Sequence, residues 1–473
     1  MQRVERFSPS WILVLLGTSL LLGVLVPVNS QVALAVAVAV LALLGLAIPA
    51  SSWVAAALFA ALVARGVVTL GILPGAASFL DIPFAWGALG VALLRHTFGE
   101  ARPLTGAARA LVWGIGMLAL AVGASFALNP SELARPVLYL FLLGEPFAVV
   151  AALLVEPPTR RGAARLRRLL FGLLVVQIPV VLAQIAVYGF TDDVKGTLHG
   201  AGAGHHAIGA VVIIGGAWIM LSDRPFGTRL FTSLPLFLIP FASDAKQVLF
   251  ATPAALVFQH WGRGAGRKVA LFGVVGLLAV IMFRFYGASG TALDFLEQQN
   301  RGEGGKAAAT RLIWDEVTED PPSFLLGEGP AETVSRAAFM TTDRYLGEES
   351  PLRAFGLHPS EIATEAARQA TALSGGRTSL NSALSSALGV FGDLGALGVA
   401  AFLFLLVRVV HALRKVHSAE AVAALAGWGM YALLGYVYDW WEQPPFSMTL
   451  AVLTGLALGA AARDRSESPV PSP

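Results

Sequence analysis

The chain has 473 residues, of which 56% are hydrophobic and only 13% are charged, with a formal net charge of +3. Water-soluble domains carry about 25% charged residues, so this composition, with its mean hydropathy of +0.70, excludes an ordinary soluble enzyme. The absence of cysteine excludes disulfides and thiolate metal sites.

Taken in order, apolar runs long enough to cross a bilayer as helices recur along the chain. About fourteen spans are expected, near 11–28, 32–48, 52–70, 78–94, 110–128, 136–155, 169–188, 206–221, 229–242, 247–260, 268–286, 386–407, 420–438 and 446–462. Arg3 and Arg6 precede the first run, Trp11 to Val28, which reads as a span rather than a cleaved signal. The ninth and tenth runs are short and read as a helical hairpin entering from one face. Five regions follow: N-terminal spans over 1–168, central spans with a His-rich loop and the hairpin over 169–286, a polar loop domain over 287–385, C-terminal spans over 386–462, and a disordered Ser- and Pro-rich tail over 463–473. The fold class is therefore all-α and polytopic, with one large loop domain.

Lys and Arg in short loops set orientation. The even-numbered connections hold Arg95 to Arg109, then Arg160, Arg161, Arg165, Arg167 and Arg168, then Arg224 and Arg229, then Arg263, Arg267 and Lys268, and finally Arg408, Arg414 and Lys415. This places them in the cytoplasm and the long loop outside. A basic pI is thus explained by membrane topology, without nucleic acid. The expected setting is a bacterial inner membrane with the loop in the periplasm.

Ionisable residues at the membrane edge are expensive and commonly mark function. The outer edge carries Asn129, Glu132 and Arg135 in NPSELARP, then Asp192, Asp193, Lys195, His199, His205 and His206 in YGFTDDVKGTLHGAGAGHH. It also carries Asp244 and Lys246 in PFASDAKQVLF, Arg284 near the end of span eleven, and Asp439 and Glu442 in DWWEQPP. Asp244 and Lys246 sit where two short helices turn. They read either as an ion pair that satisfies the turn or as a cation aimed at an anionic head group. HGAGAGHH lacks an acidic partner at ligand spacing, as in HExxH, so a flexible loop that meets substrate is favoured over a metal site. His96, His260, His411 and His417 fall at the cytoplasmic edge and read as surface residues.

Within the long loop, ATRLIWDEVTEDPP predicts an amphipathic helix ending before Pro321, with Leu312, Ile313 and Val317 on its apolar side. LLGEGPAE follows as a Gly-rich turn. Ser360, in HPSE beside His358 and Glu361, is placed to cap a second helix. The loop is rich in Arg, including Arg311, and Arg matches phosphate bidentately. Acidic neighbours balance much of that charge, so a salt-bridged face is the alternative for any one of them.

Three segments carry a resemblance to the O-antigen ligase and O-antigen polymerase (Wzy-type) membrane proteins. These are TRLIWDEVTEDPPSFLLGEGPA from Thr310, NSALSSALGVFGDLGALGVAAFLFLL from Asn381, and PFASDAKQVLFATPAALVF from Pro240. The likeness covers about residues 169 to 462. It implies a GT-C-like bundle and a metal-independent glycosyltransferase without cofactors, acting on a glycan donor linked to undecaprenyl pyrophosphate. A glycan acceptor, membrane lipid, a flippase and a chain-length regulator are the implied partners. Arg311, Lys246, Arg284 and Arg135 are the implied cations for the pyrophosphate, with Asp244, His205 and His206 beside the substrate. His358, then Glu361 or His199, is the implied base. Two departures bear on the choice within the family. The hairpin tip has Asp244 and Lys246 where Ser-Arg is usual, and Thr378 to Asn381 lacks the His that ligases of the family use. A polymerase is therefore expected ahead of a ligase that transfers glycan to a lipid or protein acceptor. A transporter of lipid-linked sugars predicts mid-span ionisable residues and duplicated halves, neither of which stands out in the sequence. A scaffold without catalytic activity is the remaining rival. No GxxxxGK[ST] nucleotide loop is present.

Overall fold

The structure, a computed structural model, describes residues 48–73, 75–99, 103–198, 204–249, 251–252, 297, 301–340, 357–358, 360–374 and 382–467. Among the described residues the chain is helical and has no strand. Its helices are α1 (Ala50–Thr69), α2 (Asp81–Phe98), α3 (Gly106–Leu128), α4 (Ala134–Val155), α5 (Arg160–Tyr188), α6 (Gly204–Leu221) and α7 (Phe226–Ala242). In the polar loop come α8 (Gly305–Thr318), α9 (Pro321–Leu326), α10 (Arg336–Met340) and α11 (Glu361–Ser374). The chain ends with α12 (Ser386–Leu413), α13 (Ala419–Leu434) and α14 (Pro444–Glu467).

Seven of these helices are long and apolar enough to cross a membrane: α1, α3, α4, α5, α6, α12 and the stretch Pro444–Asp464 of α14. The helices α7 and α13 are apolar but shorter. Each corresponds to an expected span, as does α2. The expected spans 11–28 and 268–286 lie outside the described residues, as do all but the last residue of 32–48 and most of 247–260. A turn follows α7, which ends at Ala242: Asp244 adopts a positive φ of 50°, and helix resumes at Lys246, while most of the hairpin's expected second arm lies outside the described residues.

Side-chain capping explains where the helices begin. Thr105, Thr159, Ser385 and Ser418 accept hydrogen bonds from Ala108, Gly162, Leu388 and Ala421, satisfying amides that the first turn leaves open. Ser360 Oγ does the same for Ala363 of α11, as its place in HPSE predicts. Small residues then let helices approach closely. Gly114 faces Leu405, Gly427 faces Leu450 and Gly455 faces Leu153, each with no room for a Cβ. An aromatic stack fills the centre, with Phe147 on Trp428 at 5.6 Å and Phe402 on Trp441 at 4.2 Å between ring centroids.

The described helices run alternately up and down. At one end Arg95 pairs with Glu156 at 2.8 Å, Arg167 pairs with Glu420 at 2.7 Å, and Arg463 donates to the Pro158 carbonyl. This basic face gathers Arg95, Arg167 and Arg463 from three separate helices. The polar loop helices sit at the other end, here the loop face.

There α12 bends. Gly395 has φ 60°, and a Cβ built on it lies 2.5 Å from the Leu325 backbone carbon of α9. Gly395→Ala combines a left-handed strain of about 1–3 kcal/mol with that backbone clash. It is expected to lower the thermal unfolding temperature in detergent and to expose the α9 segment to protease.

Candidate functional site

The site is built around the turn GEGPAETVSR, residues 327–336, which lies across the bend of α12. Gly327 and Gly329 hold φ of 74° and 117°, conformations that a side chain would resist. Asn129 donates to the Gly327 carbonyl at 2.8 Å, and the Glu328 amide donates to the Gly392 carbonyl at 2.8 Å. Asp393 is wholly buried. Its Oδ1 accepts from the amides of Glu332 at 3.1 Å and Thr333 at 2.7 Å and from Thr333 Oγ1 at 2.6 Å. Its backbone carbonyl accepts from Ser125 Oγ of α3 at 2.7 Å. The segment from Thr310 and the segment from Asn381 thus pack directly on one another.

Arg135, at the start of α4, is the clamp on the other side of the turn. Its Nε donates to Glu132 at 2.5 Å, one Nη to the Ala331 carbonyl at 2.9 Å and the other to the His358 carbonyl at 2.6 Å. Glu332 lies 3.0 Å from the same guanidinium. Burial, with the charges of Asp393 and Glu132, pushes the Glu332 carboxyl up to about 7 against the pull of Arg135.

A second group of buried charges adjoins the turn. Arg336 faces Asp439 at 3.4 Å, and the Ala337 amide donates to Glu442 at 3.2 Å. Gln443 donates to Asp439 at 2.7 Å. Lys306 of α8 has no exposed surface and donates to the Leu384 carbonyl. Burial brings the Lys306 amine down to about 7, with Asp439 opposing, and raises Glu442 to about 8. Glu442 Oε1 is buried without a hydrogen-bond partner.

The third group is at the hairpin. The rings of His205 and His206 lie 3.8 Å apart, and Lys246 pairs with Asp244 at 2.9 Å, each about one-third exposed. Lys246 is within electrostatic reach of His206, and Asp244 and Asp192 of His205. Trp440 links this group to the second. Its ring lies 6.4 Å from His206, and its indole donates to Gln247 at 3.1 Å. Among the described residues no three His, Asp or Glu side chains converge to hold a metal ion.

The sequence-derived candidates therefore divide. Arg135, Asp244, Lys246, His205 and His206 lie in these groups. His358 reaches Arg135 through its carbonyl while its side chain is exposed. Glu361 is exposed in the first turn of α11, and Arg311 is exposed on α8 with its guanidinium on the Gly302 carbonyl. His199 and Arg284 lie outside the described residues.

Sequence reasoning missed Lys306, Glu332 and Asp393 and took Arg336 only as one of the loop arginines. Only Asp393 carries a signal, as a lone carboxylate inside an apolar run. It also missed Glu145, which is buried midway along α4 and shares a hydrogen bond with Asp81 of α2. The expectation that mid-span ionisable groups are lacking is corrected on that point.

Set against protein-family models the sequence matches none, and set against curated proteins it matches none.

Proposed function

We propose that the chain is a membrane-embedded glycosyltransferase that joins oligosaccharide repeat units carried on undecaprenyl pyrophosphate, at the periplasmic face of a bacterial inner membrane. The observation that carries this reading is the GEGP turn folded onto the Asp393 bend. It sets cations and carboxylates together at the ends of apolar helices. A lipid-linked sugar needs that combination. Its tail lies against apolar helices, its diphosphate needs cations, and its chemistry needs a base.

The acceptor hydroxyl attacks the anomeric carbon of the donor, the bond from that carbon to the diphosphate oxygen breaks, and the hydroxyl proton passes to a base. Lys246, partly exposed near the end of α7, is a cation accessible to the leaving diphosphate. The Arg135 fork is filled by protein groups, and protonation of Glu332 loosens one of them. Glu332, partly exposed and titrating near 7, joins His358 and Glu361 as a base.

Glu332 gives a pH signature. Its native carboxyl holds a proton between the ordinary value of 4.5 and about 7, where the unfolded chain has lost it. Stability therefore falls as pH rises through that window. Thermal unfolding of Glu332→Gln is expected to depend less on pH there than wild type. If Glu332 is the base, the variant also loses the rise in activity toward pH 7. An unchanged pH slope in both readouts removes Glu332 from this role.

A carrier of lipid-linked sugars has one observation in its favour, the Glu145–Asp81 pair inside the bundle. The experiment that separates the readings is a deletion strain with surface glycans and lipid-linked intermediates analysed side by side. Single repeat units accumulating outside on the carrier support polymerisation. Units held on the cytoplasmic face support transport, and long chains left on the carrier support a ligase.

A further inference from the structure

The α8–α9 elbow presents an apolar surface. The residues of α9 read PPSFLL, and none of them is buried. Trp314 is 56% exposed, Phe324 42% and Leu325 48%. These side chains are nevertheless held in place. Trp314 stacks on Phe391 of α12 at 5.8 Å, and Phe324 meets the same ring edge-on at 6.1 Å. Asp320 caps α9 by accepting from the Ser323 amide at 2.7 Å.

Helix length fixes the depth at which this surface sits. The α9 backbone rests on Gly395, and from Gly395 to the end of α12 at Leu413 the helix rises about 27 Å. In α3, Ser125 bonds to Asp393 at the same level, and from there back to Gly106 is about 28 Å. Arg408 and Arg109 lie in the turns at the basic end of these stretches, where a long side chain reaches back to water, and with that allowance both approach a hydrocarbon layer of about 30 Å. The bend of α12 therefore marks the edge of that layer, and α9 lies at its boundary. Below it α12 exposes Leu397, Leu403 and Val407, and α3 exposes Trp113 and Leu120, as lipid-facing helices do. Beside it, Asp315, Glu319 and Asp320 are exposed, with no basic residue from Leu312 to Gly327. That sign of charge disfavours a polyanionic partner. An apolar ridge with a Trp, continuous with lipid-facing helices and rimmed by acids, has the character of an interfacial anchor.

We propose that Trp314, Phe324 and Leu325 sit in the interfacial layer of the bilayer and tether the loop domain to lipid. The proposal stands apart from the glycosyltransferase reading. Its consequence is that the GEGP turn, which follows α9 directly, is held at a fixed height above the lipid.

The chain has no cysteine, so single cysteines can be introduced and spin-labelled in the full-length protein. Phe324→Cys and Leu325→Cys would be compared with Leu403→Cys on α12 and Glu319→Cys beside the elbow, in phosphatidylcholine nanodiscs. Relative accessibility to oxygen and to a water-soluble nickel chelate is read at each site. The expected result is an oxygen-to-nickel ratio at 324 and 325 several-fold above that at 319 and approaching that at 403. A ratio equal to that at 319 overturns the proposal. Shielding from both reagents also overturns it, because it means that protein covers the ridge. If the labelled variants do not fold, Trp fluorescence quenching by brominated phosphatidylcholine is compared between wild type and Trp314→Phe. Loss of a quenched component in the variant supports the anchor, and an identical quenching profile overturns it.

Discussion

Arg135→Ala is expected to destabilise the protein by about 3–5 kcal/mol, the range for removing one partner of a buried, hydrogen-bonded ion pair. The guanidinium is 4% exposed and bonds to Glu132, Glu332 and two carbonyls. Its loss leaves the Ala331 carbonyl buried without that donor and strands Glu332. Because Glu332 already titrates near 7, it takes up a proton and relieves part of the cost, which places the expected value toward the lower end. Arg135→Lys keeps the charge but loses the fork that reaches three directions at once, and it should recover less than half of the loss. Arg135→Ala combined with Glu332→Ala should cost less than the sum of the two single changes, since each removes the reason for the other. Denaturant-induced unfolding in detergent measures all three. Limited proteolysis reports whether the 327–335 turn has come away from the bundle. A neutral Arg135→Ala would mean that the clamp is absent in solution.

Asp393→Ala is the second large effect. One carboxylate oxygen gathers two amides and one hydroxyl with no exposure to solvent. Each buried donor left open costs about 1–3 kcal/mol. The hydroxyl can rotate away, so a net loss of about 3–5 kcal/mol is expected from the two amides and the cavity together. Asp393→Asn keeps an oxygen in the same place and should be milder. An Asn variant as damaged as the Ala variant would show that charge, rather than acceptor geometry, holds the turn. Gly392 and Gly389 bring α12 against Thr333 and Ser335, so no larger side chain nearby can take over the role.

Much of the fold is legible in the sequence because its signals are local. Apolar runs give the helices, the 3.6-residue spacing of Leu312, Ile313 and Val317 gives α8, and Ser360 announces the start of α11. The Gly-rich turn after α9 is equally local. The site is not. Arg135 bonds to carbonyls 196 and 223 residues away, and the Arg336–Asp439 pair closes across 103 residues. Nothing in the composition of a polar loop distinguishes Arg336, which is buried, from Arg311, which is exposed. His358 drew attention as a titratable group, yet what meets Arg135 is its backbone. Lys306 lies in the polar loop, and the fold takes it wholly out of water with its amine on the Leu384 carbonyl. Asp393 and Glu145 are the exceptions. A carboxylate interrupting an apolar run is visible in the sequence and should be weighed as a site residue from the start.

Polymerisation can be followed by reconstituting the purified chain in nanodiscs with repeat units linked to undecaprenyl pyrophosphate. Products are separated by mass, and released carrier is measured alongside. A polymerase yields a ladder of glycans longer than one repeat and one carrier pyrophosphate released for each linkage formed, and both are lost with Lys246→Ala in a folded protein. Intact single repeat units and no released carrier, from wild-type protein with a normal unfolding transition, would contradict it.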